Sequence, residues 1–285
     1  MYMMKVMAII LNYNSFEDSI HCAKLLKKQE NVELLITIVD NASNDSGIED
    51  LRMFCKENDI ILVESGVNKG FSAGNNMGLK KATEYKCQYA MIINPDVEIR
   101  DADYVLRSVK VMEQDSDIAV LGTNIINMEG QHQNPMREAR FLEEVLWPIV
   151  IMRNKIKKSL PFIKDYSKSG YCEKVTGCCF FVDMSFMEKI EYIDDNVFLY
   201  CEEPILAATV KREGKKEYYL HSLTAYHMHQ NSEKGNVVVR LERFFESRKY
   251  YLEKYSNYGK IKLAIVKASL NLQKKVTISK NRQME

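Results

Sequence analysis

Long apolar runs, paired cysteines and net charge are all missing from this sequence, and each absence removes a class of protein. No stretch of 18 or more consecutive apolar residues occurs in the 285-residue chain, so no bilayer-crossing helix is expected. The seven cysteines are odd in number and scattered; only Cys178 and Cys179 adjoin, and no CxxC pair occurs. That argues against a disulfide framework and a zinc site, and for a reducing compartment. The formal net charge of +1 gives no sign of a nucleic-acid partner. No internal repeat or low-complexity segment is found. An apolar run begins almost at Met1, so no secretory signal is expected ahead of it and the expected location is cytoplasmic.

What is present is ordinary globular composition, with 46% hydrophobic and 28% charged residues. The length suits one α/β domain, or one domain with an appendage. Charge is unevenly spread. From Val237 to Glu285 there are 12 Lys/Arg against 4 Asp/Glu, a surplus of 8 that leaves −7 on the preceding part. A basic tail on an acidic body suits an anionic partner such as a membrane surface, and it equally suits a solvated helical face.

The first half alternates strand and helix patterns. Val6 to Leu11, Leu34 to Val39, Ile60 to Val63, Ala90 to Ile93 and Ile118 to Leu121 read as buried strands. Between them lie a helix capped by Ser15, one carrying Ile48, Leu51 and Phe54, one capped by Ser72, and an acidic-capped helix from Asp101 to about Gln114. This βαβα order predicts a parallel sheet with right-handed crossovers. The rhythm breaks after Gln131. Residues 131–172, with Trp147 and the Lys-rich stretch Arg153 to Lys158, read as a helical insertion over the sheet's ligand edge or as a plain surface excursion. Strand pattern returns at Val175 to Val182, a helix starts near Pro204, and another strand begins at Tyr218. From Val237 onward the chain reads as amphipathic helix.

Several constellations offer chemistry, each with a structural alternative. Asn94-Pro95-Asp96 brings a carboxylate to a strand's carboxyl edge, where ligands of open α/β sheets bind and where a diphosphate-bound cation fits; it is also an ordinary turn. Asp40, ending the second strand, can accept a uracil or thymine imide N–H or cap a helix. Asn68-Lys69-Gly70-Phe71-Ser72-Ala73-Gly74-Asn75 is a glycine-rich turn opening a helix, suited to close ligand approach or close helix packing. It is neither a GxGxxG turn nor a GxxxxGK[ST] loop. Glu202-Glu203-Pro204 sets two carboxylates at a helix start, where the dipole favours ionisation and a general base can form; an acidic cap explains it too. His227 and His229, alternating at a strand end, can face one site or stand as surface histidines.

Taken in order, these segments resemble an inverting nucleotide-sugar glycosyltransferase of family 2 with the GT-A fold, and specifically the bacterial rhamnosyltransferase-like group. The resemblance rests on Ile9 to Asn14, Ile38 to Ser43, Asn68 to Phe71, Asn94 to Asp96, Thr176-Gly177 and Tyr200 to Glu203, and it covers roughly Lys5 to Ser232. It implies a Rossmann-like mixed sheet over 1–236, carrying the 131–172 insertion, followed by a basic helical extension over 237–285. It implies that Asp40, with Asn41 and the turn Leu11-Asn12-Tyr13, holds the nucleobase. Asn68, Lys69, Gly70, Gly74 and Asn75 line ribose and sugar. Asn94 and Asp96 meet the diphosphate through Mg²⁺ or Mn²⁺, with Asp96 and His227 as metal ligands. Thr176 and Gly177 shape the sugar pocket, and Glu203 deprotonates the acceptor hydroxyl while Glu202 holds the acceptor.

Two departures stand out. Asn94 occupies a position that is usually Asp, which removes one negative charge beside the metal. Glu203 stands where Asp is common, which leaves open whether Glu202 or Glu203 is the base. The implied donor is UDP- or dTDP-linked, and the implied acceptor is a glycan or a lipid-linked hydroxyl in surface polysaccharide synthesis. Peripheral attachment to a membrane and a homodimer are further expectations. A catalytically idle nucleotide-sugar-binding module is the alternative. A nucleotidyltransferase is disfavoured because Asn12 to Ser15 replaces a basic glycine-rich loop, and an NAD-dependent oxidoreductase because no GxGxxG follows a strand.

Overall fold

A computed structural model of the chain describes residues 3–44, 47–157, 167–228 and 236–282. In order, its elements are β1 (Lys5–Asn12), α1 (Phe16–Leu26), β2 (Glu33–Asp40), α2 (Ile48–Glu57), β3 (Ile61–Glu64), α3 (Phe71–Glu84), β4 (Tyr89–Ile93), β5 (Val97–Ile99), α4 (Tyr104–Gln114) and β6 (Ile118–Asn127). There follow α5 (Phe141–Val145), α6 (Trp147–Lys157), β7 (Gly170–Cys172), β8 (Cys179–Asp183), α7 (Met184–Lys189), α8 (Glu202–Arg212), β9 (Lys216–His227), α9 (Val237–Lys254) and α10 (Lys260–Arg282).

The sheet runs β3-β2-β1-β4-β8-β6-β9-β5, with β7 on β9. The four strands from β3 to β4 are parallel, as their continuous apolar runs and intervening helices require. Parallel order stops at β8, which runs antiparallel to both β4 and β6. The reason is local: the chain comes back from its excursion at the carboxyl end of β4, where the Asn94 amide donates to the Cys178 carbonyl at 2.8 Å, and can only run down the sheet from there. Regular strand covers Cys179–Asp183, narrower than the expected Val175 to Val182.

Side chains alternate between two apolar layers, as period-2 strands demand. Ala8, Ile10, Met91 and Ile93 face α1, α2 and α4; Met7, Ile9, Ala90 and Ile92 face α3, α7 and α8. A third cluster joins α9 and α10, through Phe245, Leu252, Val266 and Leu270, to Val197, Cys201 and Ile205 and to Phe141 and Val145 of α5. Helices on both faces of a mixed sheet make this an α/β fold, as the resemblance implied. Among the described residues no helix is long and apolar enough to cross a membrane.

Three capping expectations are corrected. Ser15 occupies the N-cap of α1, but its hydroxyl donates to Asn12 Oδ1 at 3.4 Å instead of capping. Gly70, with φ +98°, caps α3, and Ser72 is buried one residue inside. The helix expected from Asp101 starts at Tyr104, and its N-cap Asp103 makes no side-chain cap bond.

Candidate active site

The carboxyl ends of β1 and β2 are knitted by short polar side chains. Asn12 Nδ2 donates to Asp40 Oδ1 at 2.7 Å, and the Ser43 amide donates to Asp40 Oδ2 at 3.1 Å. Asn12 and Asp40 are both buried. Each Asp40 oxygen keeps a second lone pair, so the carboxylate is held in place while still able to accept from a ligand. Asn41 Nδ2 reaches Asn68 Oδ1 at 3.0 Å and the Gly70 carbonyl at 3.1 Å, tying the end of β2 to the turn before α3. Leu11 underlies that turn: a Cβ on Gly74 would come within 2.4 Å of its Cδ1. Asn75 is fully buried and donates to the Phe71 carbonyl. Tyr13 and Lys69 are exposed at the rim. Three buried atoms here, Asn41 Oδ1, Ser72 Oγ and Asn75 Oδ1, have no hydrogen-bond partner. Unsatisfied buried polar atoms concentrated at one helix start are uncommon in a merely structural turn.

Past β4, the turn at Asn94 places Asp96 beside the end of β9. Asp96 Oδ1 and His227 Nε2 lie 3.4 Å apart, and His227 Nδ1 meets Gln133 Oε1 at 2.9 Å. A carboxylate and an imidazole at that separation fit as two ligands of one divalent cation, a donor pair better suited to Mn²⁺ than to Mg²⁺. No group of three or more His, Cys, Asp or Glu able to hold a metal exists among the described residues. For a cation held there, the remaining coordination positions would fall to water and substrate oxygens. His229, expected beside His227, lies outside the described residues.

The two glutamates start α8 after a turn in which Tyr200 (φ +73°) and Cys201 (φ +66°) are both left-handed. Successive non-glycine residues in that region are costly and persist only when surroundings impose them. Here the surroundings are identifiable. The Phe71 amide donates to the Phe198 carbonyl at 2.9 Å, Ser247 Oγ of α9 donates to the Leu199 carbonyl at 2.7 Å, and the Arg243 guanidinium lies 4.0 Å over the Phe198 ring. Glu203, half-buried, accepts from the Gly177 amide at 3.3 Å. Glu202 is buried, and its Oε1 has no partner. Burial first, and the Glu203 carboxylate second, push the Glu202 carboxyl up to about 7.

Both glutamates open onto a cavity of about 850 Å³ that Asn94, Thr176, Gly177 and His227 also line. Sequence elements more than 100 residues apart thus meet in one place. The cavity's far wall comes from α5, α6, α9 and α10: Trp147, Val150 and Ile151 supply apolar surface, joined by Phe244 and Leu270. Its charges are paired. Arg137 makes a bidentate contact with Glu143 at 2.7 and 2.9 Å, Arg248 pairs with Glu144, and Lys174 lies 3.4 Å from Glu138. Burial holds the Arg248 guanidinium below its ordinary range.

Sequence reasoning missed Glu217. It is buried on β9, accepts the Val175 amide at 2.8 Å, and shares a small void with Glu202 and Glu203. Burial pushes its carboxyl up to about 8. It fixes the segment leading to Thr176 and Gly177, whose other anchor is the Thr176 amide donating to Asn134 Oδ1 at 2.7 Å. Nothing local marks Glu217, because its neighbours are exposed Lys216 and half-buried Tyr218.

A carboxylate at a helix start and a carboxylate–imidazole pair at a strand's carboxyl end thus stand around one roomy cavity. The chain belongs to glycosyl transferase family 2, whose sequence model matches residues 7–189. It is 28% identical over 246 residues to the low-salt glycan biosynthesis hexosyltransferase Agl10 of Haloferax volcanii, covering 86% of this chain and 71% of that protein. Its fold is similar to that of the Pyrobaculum calidifontis mannosyltransferase PcManGT, solved with GDP-Man and Mn²⁺ (TM-score 0.61, 15% identity, 99% of this chain and 74% of the other). S. aureus TarS 1–349 is similar at TM-score 0.58 and 13% identity, over 94% and 71% of the two chains. GalNAc-T7 with UDP, GalNAc and Mn²⁺ matches at TM-score 0.62 and 15% identity, over 94% of this chain and 55% of the other. The family match ends before Glu202, Glu203 and His227.

Proposed function

We propose that this glycosyltransferase moves a hexosyl unit from a nucleoside-diphosphate sugar to a hydroxyl of a glycan or lipid-linked acceptor, with inversion at the anomeric carbon. The observation that carries the reading is that Glu203 faces the same cavity as Asn94 and His227, so a donor diphosphate beside Asp96 and an acceptor hydroxyl beside Glu203 can meet. Glu203, on the cavity wall and oriented by the Gly177 amide, is the base that takes the acceptor proton. Buried Glu202, with its raised pKa, is the neighbour that holds the acceptor. A single displacement with the base opposite the leaving diphosphate inverts configuration. Asp96 and His227 would hold a divalent cation, which when bound would supply charge neutralisation on the departing nucleotide.

On the donor side, Asp40 and the turn at Leu11 to Tyr13 take the base. The turn from Asn68 to Asn75 takes ribose and sugar, with buried Asn12 holding the Asp40 carboxylate, Asn41 the Asn68 side chain and Gly70 carbonyl, and Asn75 the Phe71 carbonyl. Two of the structural neighbours were solved with GDP-Man or UDP, and Asp40 suits the imide of a uracil or thymine ring. Similarity to a hexosyltransferase supports a hexose as the unit transferred. A role in surface glycan or polysaccharide synthesis accords with the name of that relative.

The test is a screen of UDP-, dTDP- and GDP-linked hexoses by thermal shift with and without Mn²⁺, followed by transfer assays and NMR of the product's anomeric configuration. One nucleotide class is expected to stabilise the protein only with metal, and an α-linked donor to yield a β-linked product. A protein that binds none of these donors, or a product of retained configuration, refutes the reading.

A further inference from the structure

We propose that the outward face of α10, where an apolar stripe runs between lysines, docks this protein on an anionic lipid bilayer. The helix spans Lys260–Arg282, about 35 Å at 1.5 Å per residue. Its inner side buries Val266, Leu270 and Ile278 in the cluster shared with α9 and α5. The opposite side is apolar as well. Ile261, Ile265, Leu272 and Val276 are all exposed, Ile261 by 79%, and at 3.6 residues per turn they fall within about 60° of one another. A water-facing stripe of four large aliphatic side chains on one helix marks a contact surface more often than chance exposure.

The charges decide what covers it. Seven Lys/Arg and no Asp/Glu lie on α10. Lys267 pairs with Glu253, and Arg282 lies 3.3 Å from Glu242, both on α9. Lys275 and Lys280 remain exposed and flank the stripe on opposite sides, while exposed Lys262, on the same side as Lys280, holds its ammonium 5.5 Å from the centre of the Phe141 ring. A second copy of the helix laid against this face would bring cation against cation, which like-charge repulsion opposes. An anionic membrane surface matches both features at once: aliphatic side chains enter the headgroup boundary while lysines reach phosphates alongside. The same helix contributes Leu270 and Gln273 to the cavity wall, so the bilayer lies about one helix diameter, ~10 Å, from the cavity. Docking stands on α10 alone; its use in presenting a lipid-linked acceptor rests on the proposed transferase reading.

The experiment is flotation of the full chain with vesicles of phosphatidylcholine, alone or mixed with phosphatidylglycerol, at two salt concentrations. The protein is expected to float with the anionic vesicles only, and less so at high salt. Ile265→Glu/Leu272→Glu, at exposed positions that leave the melting temperature in place, should weaken binding by more than about tenfold. Lys275→Ala/Lys280→Ala should weaken it on the order of tenfold. Transfer to a soluble acceptor should be unchanged in both variants, which separates loss of docking from failure of the catalytic reading. Absence of binding to either vesicle overturns the proposal. Binding that Ile265→Glu/Leu272→Glu leaves intact overturns it as well. So does a solution dimer that this variant dissociates, which would assign the face to a second copy.

Discussion

At the edge formed by β1, β2 and α3, position is set by backbone and by buried asparagines near strand and helix ends, with four side-chain bonds at Asn12, two at Asn41 and one at Asn75. Across the cavity, the wall of α5, α6, α9 and α10 is set by apolar packing and by three ion pairs between long side chains. The first kind of construction specifies where atoms of a ligand must sit, and a missing Cβ can be essential to it. The second specifies only that a space is enclosed, and similar space can be enclosed by other side chains of similar volume. Glu203 sits where the two meet, because the turn before it is held by Phe71 from one side and by α9 from the other.

Substitutions can break that contrast. The largest effect is expected at the junction: Glu203→Gln should lower kcat by about 10²–10⁴ with nucleotide binding kept, measured by transfer assay and calorimetry. Intact activity would remove Glu203 from the mechanism. In the wall, Arg248→Ala should cost about 3 kcal/mol in denaturant unfolding by leaving the largely covered Glu144 carboxylate unpaired. Arg248→Met combined with Glu144→Leu should recover most of that loss, as an enclosure tolerant of substitution requires.

At the asparagine-built edge no such rescue is expected. A Cβ at Gly70 would stand 2.0 Å from the Phe198 carbonyl oxygen at φ +98°, so Gly70→Ala should cost about 2 kcal/mol or more and displace the turn carrying the glutamates. Asp96→Ala should weaken Mn²⁺-dependent nucleotide binding by more than about tenfold, with metal-free binding little changed. Calorimetric affinity that ignores the substitution would count against the metal pair.

The smallest effect concerns pH. Glu202 and Glu217 rise from 4.5 to about 7 and about 8 in the fold, so the native state binds more protons than the unfolded chain across that window. Stability should therefore be greatest near and below pH 4.5 as far as these two groups contribute, and should decline as pH rises through 8. Glu217→Gln should make the decline between pH 5 and 8 shallower in chemical denaturation; an unchanged decline would show that Glu217 is ionised in the native protein.

Much of the scaffold was legible because its signals are local. Continuous apolar runs mark β1, β2, β3 and β4, and turn residues at their ends mark where Asp40 and Asp96 emerge. Proline after two glutamates marks the start of α8. Capping was legible only in part: Ser72 looked like the cap of α3, yet positive φ assigned that place to Gly70. The antiparallel insertion of β8 was not legible from the βαβ rhythm, since strand direction depends on the end from which a distant excursion returns. Glu217 was invisible for a similar reason. Its burial comes from Val175 and the glutamates of α8, none of them a neighbour in sequence. The Arg248–Glu144 pair joins helices about 100 residues apart, beyond any helical spacing.

By itself, then, the sequence determined which segments become strands and helices and which carboxylates stand at their ends, because apolar periodicity and terminal residues act within a turn or two of the chain. Only the tertiary structure decided that Asn94, His227 and Glu203 share a cavity, that Glu217 is buried beneath two other carboxylates, and that α10 turns one apolar face inward and another to water. Those outcomes depend on which surfaces meet, and that is settled by packing among elements far apart in sequence.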